Sequence, residues 1–220
     1  MNKKMDKNFI IFFDFDNTIT TIDVIDDMLE RFSGDDEWKE LERKWQRGRI
    51  GSLECLKGQV EGIRVDRSRL AKYLATVRID PYFKKLLELF KSRDIPVLIV
   101  SDNFDYILKN ILKRNDIHEM EVYCNKVDIS GDRLSLSFPY SNKECGGCAN
   151  CKKTHLLSKR RDGMTAVYIG DGKSDVCASK VSDLIFAKGY LKDLFDKEAL
   201  PHIAIDSLKD VYEYFERILS

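Results

Sequence analysis

The composition limits both the number of domains and the class of partner. The chain has 220 residues, with 37 basic and 37 acidic side chains, 43% hydrophobic and 34% charged residues. A chain of this length and apolar content is expected to form one core with an inserted subdomain, and nothing indicates disorder. The even charge balance lacks the basic excess of a nucleic-acid binder, so no nucleic-acid partner is expected.

The N-terminal sequence and the cysteines favour a cytoplasmic protein. No apolar run approaches the roughly 20 residues that are needed to cross a bilayer. The apolar run after the basic start covers only Phe9 to Phe13, which is too short for a signal peptide. We therefore expect no membrane partner, and we expect the six cysteines to stay reduced, as thiols or as metal ligands.

Short apolar runs predict the strands of a parallel sheet. Residues 9–13, 95–100 and 165–169 are segments of the kind that form central strands covered by helices on both faces. A helix is expected near residues 154–161. A hairpin is expected with arms at residues 121–128 and 133–138, and two weaker strands are expected at residues 184–187 and 203–205.

The stretch between the first two strands is expected to be helical. Apolar residues recur at spacings of three and four from about Thr21 to Arg93, interrupted by glycines and by Pro81, which is well placed to open the last helix. The predicted fold is therefore α/β, with a doubly wound parallel sheet as core, formed by residues 1–20 and 85–220. Residues 21–84 would form an inserted helical cap.

Carboxylates and hydroxyls follow each of the three strong strands. In chain order they are Asp14, Asp16, Thr18, Ser101, Asp171, Ser174 and Asp175. Because ligands bind beyond the carboxyl ends of parallel strands, these side chains are expected to converge on one crevice. A single aspartate after a strand is more often a turn residue or a helix N-cap, but three strands that end in this way favour a functional site.

A cluster of carboxylates in a partly buried site needs a counter-charge. The carboxylates repel one another and tend to take up protons unless a cation offsets them. An all-oxygen site with few protein ligands suits Mg²⁺, whose coordination a phosphate monoester would complete. The residues therefore predict a magnesium-dependent reaction at a phosphoryl group, in which positioning and charge neutralisation supply most of the catalysis.

Four sequence motifs resemble those of haloacid-dehalogenase-like phosphatases, in that family's order and near its phosphoserine phosphatase branch. They are Asp14-x-Asp16-x-Thr18, Ser101, Lys152, and Gly170-Asp171-Gly172-Lys173-Ser174-Asp175. The resemblance covers the core from Phe9 to about Asp175, and the helical stretch is similar to the family's cap. Lys152 and Lys153 both stand in the third motif, and the Cys-Lys pair of similar proteins favours Lys152.

The resemblance implies a covalent mechanism. Asp14 would attack phosphorus and become an aspartyl phosphate, and Asp16 would protonate the leaving alcohol and then activate the hydrolytic water. Thr18, Ser101 and the lysine of the third motif would bind the phosphoryl oxygens.

The same resemblance implies the magnesium ligands. Asp14, the carbonyl of Asp16, and Asp171 would hold Mg²⁺. Asp175 would contact the metal through water or orient the ligands that do.

Two further resemblances narrow the substrate to a small phosphorylated metabolite. The cysteine-rich third motif, Cys145 to Lys152, is similar to that of methionine-salvage phosphatases, which act on 2-hydroxy-3-keto-5-methylthiopentenyl 1-phosphate, and to that of phosphoethanolamine/phosphocholine phosphatases. Asp102 after Ser101 departs from the Ser-Gly-Gly usual in phosphoserine phosphatases. Its carboxylate could bind a substrate ammonium or act as an N-cap. The methionine-salvage substrate is the favoured interpretation, with phosphoethanolamine, phosphocholine and phosphoserine as alternatives.

Two other functions remain open at this point. A phosphotransferase would use the same covalent intermediate and pass the phosphoryl group to a second substrate. A phospho-accepting signalling module also combines acidic residues, a hydroxyl and a lysine at strand ends, but it lacks a carboxylate equivalent to Asp16 and an insertion of this size.

The cysteines of the third motif offer a second metal site. Cys145, Cys148 and Cys151 are spaced like the ligands of a structural Zn²⁺ site, which Cys124 or His155 could complete. The alternative is a reduced glycine-rich loop that binds no metal.

Overall fold

A seven-stranded sheet runs through the computed structural model, which describes residues 8–219. The strands are β1 Phe9–Phe13, β2 Val97–Phe104, β3 Glu121–Ser130, β4 Arg133–Ser137, β5 Thr165–Gly170, β6 Leu184–Ala187 and β7 Ile203–Ala204. Their order across the sheet is β4-β3-β2-β1-β5-β6-β7, and every neighbouring pair is parallel except β3 and β4. The direction of winding reverses at β1, so the doubly wound α/β fold is confirmed. Residues 1–7 of the predicted core lie outside the described residues.

The central strand β1 is buried on both faces. Ile11 and Phe13 point into a large apolar cluster, whereas Ile10 and Phe12 point into a smaller one on the opposite face. Phe13 packs edge-on against Phe83, with 5.3 Å between the ring centroids. Because successive side chains of a strand alternate between faces, burial on both faces requires the continuous apolar run seen in the sequence.

Ten α-helices surround the sheet within residues 8–219. They are α1 Val24–Phe32, α2 Glu37–Gln46, α3 Ser52–Glu61, α4 Arg67–Leu74, α5 Tyr82–Lys91, α6 Asp105–Arg114, α7 Lys152–Lys159, α8 Val176–Ser179, α9 Gly189–Lys197 and α10 Leu208–Leu219. In this part of the chain, no helix has both the length and the apolar character required to traverse a bilayer.

Helices α1 to α4 form the insertion between β1 and β2, and an antiparallel bridge between Thr20 and Ile79 joins its two ends. Helix α5 packs against α10 of the core. The limit of the cap at residue 84 falls within α5, and the division into residues 21–84 and the rest stays a prediction. We call α1 to α4 the cap.

Strand β2 is longer than the sequence predicted. The expectation placed its end at Val100, but it continues to Phe104, and its pairing with β3 shifts register between these two residues. The apolar run of the sequence ends where polar residues begin at Ser101, so apolar patterning does not indicate the rest of the strand. Its polar side chains are hydrogen-bonded inside the fold, as described below, which offsets the cost of their burial. The hairpin of β3 and β4 is confirmed, with Gly131 at φ +59° in its turn.

A single carboxylate joins the end of the insertion to the core. Asp80 is 8% exposed, and its two oxygens accept hydrogen bonds from the first residues of two helices. Tyr82 N of α5 donates to Oδ1 at 2.8 Å, and Leu208 N of α10 donates to Oδ2 at 3.0 Å. Both bonds satisfy N–H groups that have no partner within their own helix, and both place a negative charge at a helix N-terminus.

We predict that Asp80→Ala lowers the free energy of unfolding by about 2–4 kcal/mol, because it removes two charge-assisted hydrogen bonds at helix N-termini. Urea unfolding followed by circular dichroism measures the change. Asp128→Ala is the matched control, because Asp128 is exposed on β3 and forms only a 3.6 Å surface ion pair with Arg67. Equal losses in the two variants would show that Asp80 has no special role.

Candidate active site

The predicted site residues lie at the carboxyl ends of β1, β2 and β5. A cavity of about 240 Å³ opens here between the sheet and the cap. Six of the predicted residues line it: Asp14, Asp16, Asp102, Lys152, Asp171 and Ser174. The cap contributes side chains from α1, α2 and α3, so substrate in this cavity would contact both parts of the chain.

Lys152 is the charged centre of the site. Its Nζ donates to Asp14 Oδ1 at 2.5 Å, to Asp175 Oδ1 at 2.6 Å and to Ser174 Oγ at 3.0 Å, and the residue is only 3% exposed. Lys153, its neighbour on the first turn of α7, is partly exposed. Of the two lysines in the third motif, it is therefore Lys152 that contacts Asp14. Sequence reasoning gave Ser174 no role, although its position in the fourth motif was noted.

Asp175 is fully buried, and four donors surround it. Besides Lys152, Tyr168 OH donates to Oδ1 at 2.6 Å, and the backbone N–H groups of Asp171 and Gly172 donate to Oδ2 at 3.1 and 2.9 Å. This set of bonds folds the loop after β5 around the carboxylate. The donors favour an orienting role for Asp175 over direct metal coordination. Sequence reasoning missed Tyr168, because it reads as an apolar strand residue.

Glycine is required beside that carboxylate. A Cβ at Gly170 would lie 2.6 Å from Asp175 Oδ2, well inside van der Waals contact. Any larger residue at this position would displace Asp175, and with it the loop that carries Asp171.

The carboxylate of Asp16 points toward the start of the cap. Asn103 Nδ2 lies 3.0 Å from each of its oxygens, and Val24 N donates to Oδ1 at 3.0 Å. The N–H of Asn103 also donates to Ser101 Oγ at 3.0 Å. Asn103 was missed in the sequence, although it stands two residues after Ser101, and residues two apart in a strand share a face. It fixes the orientation of Asp16 relative to Asp14.

Thr18 and Ser101 do not reach the cavity wall. Both are buried, at 1% and 0% exposure, and neither is among the lining residues. Thr18 Oγ1 donates to Asp171 Oδ1 at 3.5 Å, which is a long contact. Their predicted contacts with a phosphoryl group therefore remain predictions.

The carboxylates near Lys152 carry more negative charge than one lysine offsets. Burial, followed by the charge of Asp175, raises the pKa of Asp14 well above its usual value, and Lys152 opposes this only in part. Burial and Asp175 likewise raise the pKa of Asp171 to about 7. Burial by itself would lower the pKa of Lys152, but Asp14 and Asp175 outweigh it, so that the lysine stays charged. The arrangement thus favours the binding of a further cation.

Further acidic side chains line the same cavity. The cavity is lined by Asp23 and Asp26 at the start of α1, by Glu42 of α2 and by Asp102 of β2. Burial, followed by the charge of Asp23, raises the pKa of Asp26 to about 7. Asp102 accepts a hydrogen bond from Asn150 N at 3.2 Å, and burial raises its pKa as well. The cavity therefore has more carboxyl groups than lysines, and their raised pKa values favour the neutral form until a cation binds.

Asn150 ties the third motif to the sheet. Its Nδ2 donates to Ser101 O at 2.7 Å and to Tyr123 O at 2.8 Å, and its Oδ1 lies 2.6 Å from His155 Nε2. The ring of His155 is stacked on Tyr123, with 4.3 Å between centroids. The side-chain amide thereby positions the loop immediately before Lys152. Nothing in its spacing marked Asn150, since an amide in a loop is common.

Lys173 joins the site to the cap. Its Nζ donates to two carbonyl oxygens at the end of α2, that of Trp45 and, at 2.8 Å, that of Gln46. The same Nζ lies over the indole ring of Trp45, 5.5 Å from the ring centroid. A cation at the C-terminus of a helix is favourable because the exposed carbonyls carry partial negative charge. Lys173 follows Asp171 by two positions, so the fourth motif contacts the cap directly.

The three cysteines of the third motif lie together at the edge of the site. The Sγ atoms of Cys145, Cys148 and Cys151 are all within 4.8 Å of one another. Cys124 and His155, which the sequence offered as possible further ligands, do not belong to this group. His155 Nε2 is instead directed at Asn150, and Cys124 lines a separate cavity next to α6.

We predict that His155 makes the fold sensitive to acid. Burial, followed by the charge of Lys159, lowers the pKa of His155 to about 4, against 6.5 in the unfolded chain. Between these values the unfolded chain binds a proton that the folded chain does not, so stability falls as the pH falls. The contribution is about 2 kcal/mol at pH 5.

His155→Gln removes the titrating group and keeps a side chain that can hydrogen-bond to Asn150. The loss in free energy of unfolding between pH 7 and pH 5 should be about 2 kcal/mol smaller in this variant than in the wild type. Urea unfolding at the two pH values gives the difference. Parallel losses in both proteins would contradict the prediction.

Comparisons with known proteins agree with this arrangement of residues. The family model of the haloacid dehalogenase-like hydrolases matches residues 11–180. Two relatives named 2-hydroxy-3-keto-5-methylthiopentenyl-1-phosphate phosphatase, from Brevibacillus brevis and Geobacillus kaustophilus, are each 29% identical to the chain over 97% of its length and 98% of theirs.

Solved structures show the same fold at lower identity. A phospho-aspartyl intermediate analogue of phosphoserine phosphatase superposes with a TM-score of 0.73 at 20% identity, over 95% of this chain and 99% of the other. A substrate-bound phosphoserine phosphatase gives 0.71 at 18% identity, with the same coverage. The chain belongs to the haloacid dehalogenase-like hydrolase family, and its named relatives within that family indicate a phosphatase.

Proposed function

We propose that this phosphatase hydrolyses 2-hydroxy-3-keto-5-methylthiopentenyl 1-phosphate through a phosphorylated Asp14, with Mg²⁺ as cofactor. The contact between Lys152 Nζ and Asp14 Oδ1, at 2.5 Å inside a buried cavity, carries the assignment of the nucleophile. A buried ammonium beside a carboxylate favours its ionised form over the neutral one, and it attracts an anionic phosphate. The names of the two relatives support the choice of substrate.

Two carboxylates divide the reaction between them. An oxygen of Asp14 attacks phosphorus, the bond from phosphorus to the ester oxygen breaks, and Asp16 gives its proton to that oxygen. Asp16 then takes a proton from water, whose oxygen attacks the phosphorus of the intermediate and releases Asp14. Asn103 and Val24 N hold Asp16 on the cap side, where the leaving group would lie. Lys152 offsets charge on the phosphoryl group throughout.

The residues present fit a magnesium ion. Carboxylate oxygens of Asp14, Asp171 and Asp175 lie within 4.8 Å of one another, and the charge of this cluster exceeds what Lys152 offsets. Oxygen donors in small number suit Mg²⁺, which retains water and substrate oxygens in its coordination. Asp14, the Asp16 carbonyl and Asp171 would hold the ion, and Mg²⁺ would neutralise phosphoryl charge.

We predict that Asp14→Asn lowers kcat by at least about 10³-fold, because an amide is a poor nucleophile. Acid quenching of wild-type protein with ³²P-labelled substrate should trap a protein-bound label that hydroxylamine releases. Asp128→Asn, a substitution on the exposed face of β3, serves as the control and should retain full activity and label. Full activity in Asp14→Asn would refute the mechanism.

The acidic wall of the cavity favours a second candidate substrate class. Four further carboxyl groups line the cavity that Asp14 and Lys152 line: those of Asp23, Asp26, Glu42 and Asp102. A cationic head group, as in phosphoethanolamine or phosphocholine, would be attracted by these carboxylates. The methionine-salvage substrate has no such charge, so the two candidates are distinguishable.

A substrate panel with one substitution separates the candidates. We predict that the methionine-salvage phosphate has a kcat/KM at least about 10-fold above those of phosphoethanolamine, phosphocholine and phosphoserine. In that case Asp102→Asn, which keeps an acceptor for Asn150 N, changes kcat/KM by less than about 3-fold. Preference for phosphoethanolamine, with a loss of about 10-fold in Asp102→Asn, would establish the cationic class instead. Release of free phosphate, measured in the same assays, distinguishes hydrolysis from transfer.

A further inference from the structure

The cysteine loop, residues 142–151, brings three thiols to one point. The Sγ atoms of Cys145, Cys148 and Cys151 lie within 4.8 Å of one another, at sequence spacings of three. All six cysteines of the chain are free thiols. The group contains no carboxylate or imidazole, so its donor set is entirely sulfur. Soft thiolate ligands select Zn²⁺ over Mg²⁺.

The backbone of the loop is shaped to point the thiols inward. Gly146 and Gly147 both adopt positive φ, at +70° and +73°, which turns the chain between Cys145 and Cys148. Asn142 and Cys148 exchange two backbone hydrogen bonds of 3.0 Å. Asn142 Oδ1 also accepts from Cys145 N at 3.1 Å. The loop thus has a defined turn, although it contains no helix or regular strand.

The sulfur of Cys151 lies among hydrogen-bond donors. Thr154 Oγ1 donates to it at 3.1 Å and Asn142 Nδ2 at 3.7 Å. Donors aimed at a sulfur stabilise the thiolate, and such contacts orient the ligands of metal sites. This observation is independent of the spacing of the three cysteines, and it points to the same group of atoms.

We propose that Cys145, Cys148 and Cys151 bind one Zn²⁺ as thiolates. Three zinc–sulfur bonds form, and the protons of the three thiols pass to solvent. Zinc keeps its oxidation state, so no oxidant or reductant is needed. The fourth position is left to water.

The place of the site in the fold gives the zinc a positioning role. Cys151 immediately precedes Lys152, and Asn150 anchors the same segment to β2 and β3. The loop also touches the cap, because Leu53 N donates to Gly147 O at 3.0 Å and Ala149 N donates to Ser52 Oγ at 2.9 Å. A metal that fixes the loop would therefore fix both the lysine and the contact with α3.

The first test is the metal content of the reduced full-length protein, purified without a polyhistidine tag from cells grown with added zinc. We expect about one Zn²⁺ per chain by mass spectrometry of the metal. Replacement by Co²⁺ should give the sulfur-to-cobalt charge-transfer absorption of a thiolate site. Less than about 0.1 Zn²⁺ per chain, with no such absorption, would overturn the proposal whatever the substrate proves to be.

Cysteine substitutions locate the metal. Cys148→Ser and Cys151→Ser should each reduce zinc content to below about 0.2 per chain, whereas Cys124→Ser should leave it unchanged. Cys124 is the matched control because it is equally free and buried on β3, outside the group. Circular dichroism verifies that each variant is folded. Full zinc content in folded Cys148→Ser would overturn the assignment, and neither result depends on phosphatase activity.

Discussion

The site depends on one buried ammonium group. Lys152 Nζ lies between Asp14 and Asp175, which are far apart in the sequence, and all three residues are 5% exposed or less. Two carboxylates this close would repel each other strongly in a site from which water is largely excluded. The lysine makes their juxtaposition stable, and the loops after β1 and β5 can therefore meet. Neutralising Lys152 alone would leave two buried, uncompensated carboxylates, so its structural and chemical roles are inseparable.

A layer of amides supports this charged centre. Asn103 orients Asp16, and Asn150 holds the loop that leads into Lys152. An amide satisfies donors and acceptors at once without adding charge, which suits a site where carboxylates are already in excess. Buried side chains of this kind are favourable only when fully hydrogen-bonded, so they also restrict the backbone to one arrangement. The extended strand β2, which carries Asn103, is part of that arrangement.

The sequence predicted the parts of the site that follow from strand ends. Asp14 and Asp171 were identified because apolar runs end just before them, and the parallel sheet brings those ends together. Lys152 needed the resemblance to a family, since no periodicity marks it. Asn150 escaped prediction because two of its partners, Ser101 O and Tyr123 O, are backbone atoms from distant parts of the chain. Those contacts depend on tertiary packing, which local patterns do not encode.

The same reasoning explains why the cap could be located in the sequence while its contacts with the site could not. Helical periodicity separates α1 to α4 from the strands, but the bond from Lys173 to the end of α2 joins residues more than a hundred positions apart.

This contact has a consequence for how the site works. Lys173 stands two residues after Asp171, so any movement of α2 away from the sheet must break a bond made by the loop that carries a proposed magnesium ligand. Cap and core both form walls of the 240 Å³ cavity, so a cap that moved away to admit substrate would have to break this bond. Closure then excludes water and strengthens each charge interaction around Asp14. The bond made by Lys173 would thereby link the closure of the cap to the loop that carries Asp171.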